Sequence, residues 1–177
     1  MKHHITTPVD SNVLGKLKAG DQVYISGKIY TARDQAHLRL INDNDLKFSL
    51  EGAVIYYVGP TPARPGNPIG SSGPTSSYRM DQLSVPLMER GVKMMIGKGN
   101  RSDSFREEMI RHNSIYLIAT GGAGALLASC IKSSKVIMYE ELGTEAVHEL
   151  FVENFPCFVA YDLYNESIFS NQKRGEL

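Results

Sequence analysis

A loop rich in hydroxyl side chains, which ends in a single arginine, is the part of the sequence best suited to bind an anion. It covers residues 69–81, IGSSGPTSSYRMD, and includes Thr75, Ser76 and Arg79. Backbone N–H groups and hydroxyls can bind an anion where a helix begins, and a guanidinium adds paired hydrogen bonds to a carboxylate or phosphate. The residues alone leave one alternative open, in which Ser76 or Ser77 caps a tight turn and Arg79 lies in solvent.

A second glycine-rich stretch, IGKGNRS at residues 96–102, places Lys98 directly after a predicted buried strand. In parallel α/β sheets, ligands gather at the carboxyl ends of the strands, so Lys98 is a candidate for anion binding. The stretch lacks the Gly-x-x-x-x-Gly-Lys-Ser/Thr pattern of a phosphate-binding P-loop. The alternative is an ordinary exposed lysine in a loop.

A third glycine cluster, TGGAGA at residues 120–125, also follows a predicted strand. It lacks the Gly-x-Gly-x-x-Gly spacing of a dinucleotide-binding loop, and it has no obvious acidic partner for a ribose. We therefore expect close packing between a helix and a strand at this point. A nucleotide-binding domain is the weaker alternative.

Arg33, Asp34 and His37 lie at the start of the first long predicted helix, in the stretch TARDQAHLRL. Arg33 and His37 are four residues apart and therefore share one helix face, which puts a cation beside a titratable base. Thr31 and Asp34 have the spacing of a capping box. The alternatives are a purely capping role for Asp34 and a partly buried polar contact for His37.

The elements that must position these residues form a β-rich first part and a regular second part. Residues 19–32 and 53–59 have strand patterns, and residues 31–44 have a helical pattern with an apolar stripe at Leu38 and Ile41. Strands and helices then alternate, which predicts parallel βαβ units within one α/β domain over residues 1–177. The second part is predicted to run as a helix near 80–90, strand VKMMIG, a helix near 102–112, strand SIYLIAT, a helix near 123–131, strand SKVIMYE and strand CFVAYDLYN.

Composition narrows the class of protein. The chain has 19 basic and 19 acidic residues and no formal net charge, which argues against a nucleic-acid surface. Cys130 and Cys157 are the only cysteines, so the chain cannot supply an all-cysteine metal site, and both are expected to be buried, reduced thiols. The N-terminus lacks an apolar signal region, and TGGAG interrupts the one long uncharged run, residues 114–131. We expect a cytoplasmic protein without a membrane span.

Six stretches together resemble the β subunit, or C-terminal domain, of class I iron–sulfur fumarate hydratases and L-tartrate dehydratases. They are TARDQAHLRL, which resembles the family's first arginine motif, YYVGPTPARPG, IGSSGPTSSYRMD, MMIGKGNRS, GGAGALLASCIKS and YEELGTEAVHELFVENFPCFVAYD. The resemblance covers nearly the whole chain, and the Gly-Pro-Thr-x-x-x-Arg-Met element is highly specific. It implies a swivelling β/β/α-type domain.

The resemblance also implies an activity, which is the reversible addition of water to a four-carbon dicarboxylate. Fumarate and malate are the favoured substrates and tartrate comes next. A [4Fe–4S] cluster would be bound by a partner α subunit and none by this chain, in a heterotetramer of two α and two β chains. The alternative is a small-anion binding module without catalysis and without an α partner.

The resemblance implies roles for five residues of this sequence. Arg33, Arg79, Lys98 and Ser76 would bind the substrate carboxylates, and Thr75 would transfer the proton at carbon. His37 is a competing candidate for the proton, because imidazole titrates near neutral pH. Many relatives have a smaller or unbranched residue where Tyr78 stands, so the choice of dicarboxylate stays open.

Overall fold

The computed structural model describes residues 1–119 and 124–170, which form one mixed sheet with short helices against it. The strands are β1 (Lys2–Thr6), β2 (Gln22–Thr31), β3 (Val54–Tyr56), β4 (Met94–Gly97), β5 (Ile115–Ile118), β6 (Ile131–Met138) and β7 (Val147–Tyr161). The α-helices are α1 (Ser11–Leu14), α2 (Asp34–Leu40), α3 (Asp81–Glu89), α4 (Asp103–Arg111) and α5 (Gly124–Ser129). Two 3₁₀ helices cover Tyr78–Met80 and Glu140–Glu145.

The sheet closes on itself like a barrel. Its strand order is β1-β2-β3-β4-β5-β7-β6, and β2 pairs with β7 as well. The ring therefore runs through β2, β3, β4, β5 and β7. Closure depends on β7, whose 15 residues are long enough to pair with β2 along one edge and with both β6 and β5 along the other.

The predicted α/β class is confirmed, and the second part contains the predicted parallel units. β2, β3, β4 and β5 pair in parallel, with α3 and α4 as the crossovers between β3, β4 and β5. β6 departs from the alternation, because it pairs antiparallel to β7. The predicted last strand, residues 157–165, overlaps only the end of β7, which begins ten residues earlier.

Two hydrophobic cores lie on opposite faces of the ring, and the strands alternate between them. Val54 and Tyr56 of β3 belong to the core inside the ring. Ile55 and Tyr57 belong to the core between the sheet and helices α2, α3 and α4. Such a period of two is what a strand buried on both faces requires. In the described part of the chain, no helix has the length and apolarity needed to cross a membrane.

The start of α2 differs from the predicted capping box. Thr31 is the last residue of β2, and its hydroxyl accepts a hydrogen bond from the backbone N–H of His148 at 3.0 Å instead of capping a helix. Arg33 occupies the N-cap position without a side-chain cap. Local spacing assigned this hydroxyl to a helix cap, but it forms a hydrogen bond between β2 and β7 instead.

The apolar stripe predicted for α2 is also wrong. Leu38 is 51% exposed, whereas Ala36, His37 and Leu40 are the buried residues of the helix. The helix is seven residues long, shorter than the predicted pattern. The orientation of the helix follows from burial of His37. Because His37 is polar, a search for a stripe of apolar residues does not identify this buried face.

We predict that Gly97→Ala destabilises the fold. An added Cβ would lie 1.9 Å from Ser77 Oγ and 2.9 Å from Tyr116 Oη, both in the packed interior. Overpacking of this kind costs about 1–3 kcal/mol, measurable as a lower free energy of unfolding in urea. Gly73→Ala is the matched control, since the nearest atom to its added Cβ is 3.7 Å away. Equal stability of the two variants would contradict the close packing of Gly97 on Ser77.

Candidate active site

Four parallel strands end in register at one edge of the sheet, and two candidate cations leave from that edge. Thr31, Tyr56 and Ile96 are paired across β2, β3 and β4. Two residues beyond this row, the chain reaches Arg33 after β2 and Lys98 after β4. Two strand spacings separate these positions, which corresponds to about 10 Å. Arg33 and Lys98 therefore both lie at the carboxyl ends of the parallel strands.

The hydroxyl loop lies between the ends of β3 and β4. Thr75 bonds to β3, because its N–H and its hydroxyl lie 3.0 and 3.3 Å from the Tyr57 carbonyl oxygen. Ser77 bonds to β4, because its N–H donates to the Lys98 carbonyl at 3.1 Å and its Oγ accepts from the Lys98 N–H at 2.9 Å. The loop therefore fixes the part-buried Thr75 beside the strand end that carries Lys98.

Ser76 and Lys98 are partners in this arrangement and are both exposed. Their backbones form an isolated parallel bridge, and both residues are solvent-accessible. Ser77, between them in the hydrogen-bond pattern, is fully buried against Gly97. Ser77 is thus the structural serine of the loop. The sequence offered it only as a turn cap, and nothing local distinguishes it from Ser76.

Arg79 pairs with Asp34 at the start of α2. Its Nε lies 2.9 Å from Asp34 Oδ2 and 3.2 Å from Oδ1. Its side chain is 49% exposed. Because Asp34 takes Nε, the two terminal nitrogens of the guanidinium stay available for a bidentate contact. Asp34 therefore joins the hydroxyl loop to α2, which is a different role from the predicted helix cap.

Arg33 lies over Gly59, just beyond β3. An added Cβ on Gly59 would lie 3.0 Å from an Arg33 terminal nitrogen, so the absence of a side chain there makes room for the guanidinium. Glu145 Oε1 is 3.9 Å from Arg33 Nε, beyond hydrogen-bonding distance. Within residues 1–119 and 124–170, the buried Nε has no hydrogen-bond partner.

His37 is buried beneath Arg33, in contact with Tyr57. Its Nδ1 lies 2.9 Å from the Arg33 carbonyl oxygen, which can only accept, so Nδ1 carries the proton. The imidazole and Tyr57 rings meet edge-on, with centroids 5.6 Å apart. Burial lowers the pKa of His37 to about 4, so the ring is neutral at neutral pH. This geometry makes His37 a support for the Arg33 backbone.

The third glycine cluster lies largely outside the described residues, since 120–123 belong to the undescribed part. Gly124 begins α5 and packs on the hydroxyl loop, where its added Cβ would lie 2.5 Å from Ser71 Oγ and 3.0 Å from Gly73 N. A glycine at this point lets α5 approach the hydroxyl loop closely. For Gly124, this contact agrees with a packing role.

The described residues do not fit an iron–sulfur cluster. They contain no group of three or more His, Cys, Asp or Glu side chains that could hold a metal ion. Cys157 is fully buried on β7, where burial raises the pKa of its thiol and keeps it protonated. Cys130 is only partly buried, which differs from the prediction for it. A cluster with one open iron needs three cysteine thiolates, more than this chain contains.

The candidate residues form an open edge, which contrasts with the enclosed pockets of many enzymes. A cavity of about 400 Å³ lies between loop 61–71 and α5, and its lining includes none of the six candidates. Tyr78, next to the site, is 63% exposed. Ser76, Arg79 and Lys98 are exposed at this edge.

Comparison with known proteins gives a family match over almost the whole chain. The family described as "Fumarase C-terminus" matches residues 2–172. A Methanocaldococcus jannaschii protein provisionally named L(+)-tartrate dehydratase subunit beta is 39% identical over 87% of this chain and 84% of its own length. The Escherichia coli L(+)-tartrate dehydratase subunit beta is 29% identical over 98% of this chain and 90% of its own length.

Fumarate hydratases match through one part of their length. The aerobic class I fumarate hydratase of Escherichia coli K12 is 36% identical over 84% of this chain, which corresponds to 28% of the longer protein. This chain therefore spans less than a third of that relative but most of the two subunits named beta.

We predict that His37 makes stability fall with acid. The unfolded imidazole has a pKa of 6.5 and the folded one about 4, so below pH 6.5 protons bind preferentially to the unfolded chain. The free energy of unfolding should then decrease by about 2 kcal/mol between pH 6.5 and 5 through this group. His37→Asn keeps an N–H donor near the Arg33 carbonyl but cannot titrate, so its urea-unfolding free energy should decrease less over this range.

The matched control for that measurement is His4→Asn, which changes an exposed histidine of β1. It should keep the wild-type dependence on pH. Wild type and His37→Asn with the same dependence would contradict the buried, neutral imidazole.

Proposed function

The chain belongs to the fumarase C-terminus family, and we propose that it is the β subunit of a hydro-lyase. The reaction is the reversible addition of water to a four-carbon dicarboxylate, with fumarate and malate favoured over tartrate. The relatives named as tartrate dehydratase β subunits and fumarate hydratase support this class of activity. The chain's own part is to bind the carboxylates and to assist proton transfer.

One observation carries the proposal, namely that cations from separate segments lie along a single strand edge. Arg33 and Lys98 follow β2 and β4 in register, and Arg79 is tied to the start of α2 through Asp34. Two carboxylates at fixed separation need such preorganised cations, which also stabilise the charge that develops when a neighbouring C–H loses its proton. Ser76, exposed beside Lys98, adds a hydroxyl donor.

Thr75 is our choice for proton transfer at carbon. It lies beside the end of β3 with its hydroxyl hydrogen directed at the Tyr57 carbonyl, so its lone pairs stay available. A hydroxyl is a weak base, and activation would come from the neighbouring cations Lys98 and Arg79. His37 supports this site from below, since its buried ring bonds the Arg33 carbonyl.

A partner α subunit completes the enzyme in this proposal. It would bind the [4Fe–4S] cluster, which supplies Lewis acid chemistry when present and which the residues of this chain do not fit. The open, hydroxyl-lined edge supports a site shared between two chains. We propose an α₂β₂ heterotetramer in the cytoplasm.

Co-expression with a cluster-bearing α subunit under anaerobic conditions tests the function. The purified complex is assayed with malate, fumarate, mesaconate and tartrate. We expect reversible hydration of at least one of them, with loss of activity when the chain is omitted. A complex that binds dicarboxylates without turnover would contradict the proposal and favour the small-anion binding module.

We predict that Arg79→Ala and Lys98→Ala each lower kcat/KM of the assembled enzyme by roughly 150-fold. Loss of a charge-assisted contact to a substrate carboxylate removes about 3 kcal/mol of transition-state stabilisation. The matched control is Lys47→Ala, an exposed lysine paired with Asp45 away from the edge. Wild-type kcat/KM in either variant would show that the residue does not bind substrate.

A further inference from the structure

We propose that Arg101 is the positioning residue that fixes the candidate site residues relative to one another. The inference rests on the proposed function and adds a residue that touches none of the reacting groups. It starts from an unusual feature, a guanidinium whose side chain is 0% exposed. A buried arginine is costly unless its charge is paired and its N–H groups are bonded. Within residues 1–119 and 124–170, its Nε and Nη2 are bonded and its Nη1 has no hydrogen-bond partner.

The partner of this charge is Asp81, the first residue of α3. Arg101 Nε forms an ion pair with Asp81 Oδ1, and Asp81 Oδ2 accepts a hydrogen bond from Ser102 N at 2.9 Å. Asp81 comes two residues after Arg79, and Arg101 comes three residues after Lys98. One buried ion pair thus ties the segment that carries Arg79 to the segment that carries Lys98.

A second set of contacts connects Arg101 to Thr75 through Ser84 and Tyr57. Arg101 Nη2 donates to Ser84 Oγ at 3.3 Å, and Ser84 Oγ donates in turn to the Met80 carbonyl at 2.7 Å. Tyr57 Oη lies 2.6 Å from Ser84 Oγ and, with that oxygen already donating, must be the donor. The backbone carbonyl of Tyr57 is the group that receives both hydrogen bonds from Thr75.

Aromatic rings and the barrel wall hold Arg101 itself in place. Its guanidinium carbon lies 3.6 Å from the centroid of Phe105, 4.9 Å from that of Tyr116 and 5.3 Å from that of Tyr57. Its backbone N–H donates to Tyr161 Oη of β7 at 2.7 Å. The same guanidinium therefore contacts the sheet, α3 and α4.

Lysine cannot replace this arginine. The planar fork of a guanidinium bonds Asp81 and Ser84 in two directions while its face stacks on Phe105, whereas an ammonium is a point charge without a planar face. Arg101→Lys keeps the charge but loses the fork. The loops of Arg79 and Lys98 would then shift relative to each other, and misplacement by about 1 Å can cost on the order of 100-fold in rate.

The test compares Arg101→Lys and Asp81→Asn with Arg111→Lys, each assembled with the α subunit. Arg111 is a matched control because it lies on the adjoining helix α4 in an exposed ion pair with Glu108. Calorimetry measures binding of succinate, which needs two cations at a set distance, and of butyrate, which needs one. Steady-state kinetics on the favoured dicarboxylate gives kcat and KM separately.

We expect Arg101→Lys and Asp81→Asn to weaken succinate binding by at least about 10-fold relative to butyrate, and to lower kcat/KM by about 100-fold. Arg111→Lys should change neither quantity. Cooperatively folded variants with the wild-type ratio of succinate to butyrate affinity would overturn the positioning role. So would a failure of both variants to fold, because Arg101 would then serve stability alone. If the wild-type complex binds neither acid, the proposed function itself is contradicted, which is a separate outcome.

Discussion

The pairing of β7 with both β2 and β5 is the constraint on which the rest of the structure depends. A parallel run of four strands would end as an open sheet, and its edges would need cover. The 15 residues of β7 instead join the first strand of this run to the last. The ring holds β2, β3 and β4 in a fixed register, so the residues that follow each of them leave the barrel side by side.

The ion pairs at that edge leave its cations available to bind an anion. Arg79 is paired with Asp34 through Nε alone, and the pair is partly exposed, so it contributes about 0–1 kcal/mol and leaves the terminal nitrogens accessible. Glu145 stands 3.9 Å from Arg33 without a hydrogen bond. Beneath them, the buried charge of Arg101 is matched by Asp81. Formal charge over the chain is zero, and the carboxylates of Asp34 and Glu145 lie beside the arginines of the edge.

Much of this organisation could be predicted from sequence. Strands β2 to β5 and helices α3 and α4 follow from the alternation of strand and helix patterns, because each pattern is a local property, and Ser102 caps α4. The hydroxyl loop and Lys98 can also be recognised from the sequence, because residue types and spacing are local properties.

What could not be predicted depends on partners distant in sequence. Thr31 fitted a capping box, but β7 bonds its hydroxyl across 117 residues. β6 looked like the end of another parallel unit, and only the length of β7 allows its antiparallel pairing. Arg101 is not marked by any local pattern, since its burial requires Asp81, twenty residues earlier, and the rings around it.

The proposed function requires that Arg33, Arg79 and Lys98 bind one dicarboxylate together at the carboxyl edge. A crystal structure of the assembled complex with a bound four-carbon dicarboxylate tests it most directly. We expect both carboxylates to lie at this edge, with nitrogen–oxygen distances of about 2.7–2.9 Å to these side chains. A dicarboxylate bound elsewhere, or one that contacts none of the three cations, would contradict it.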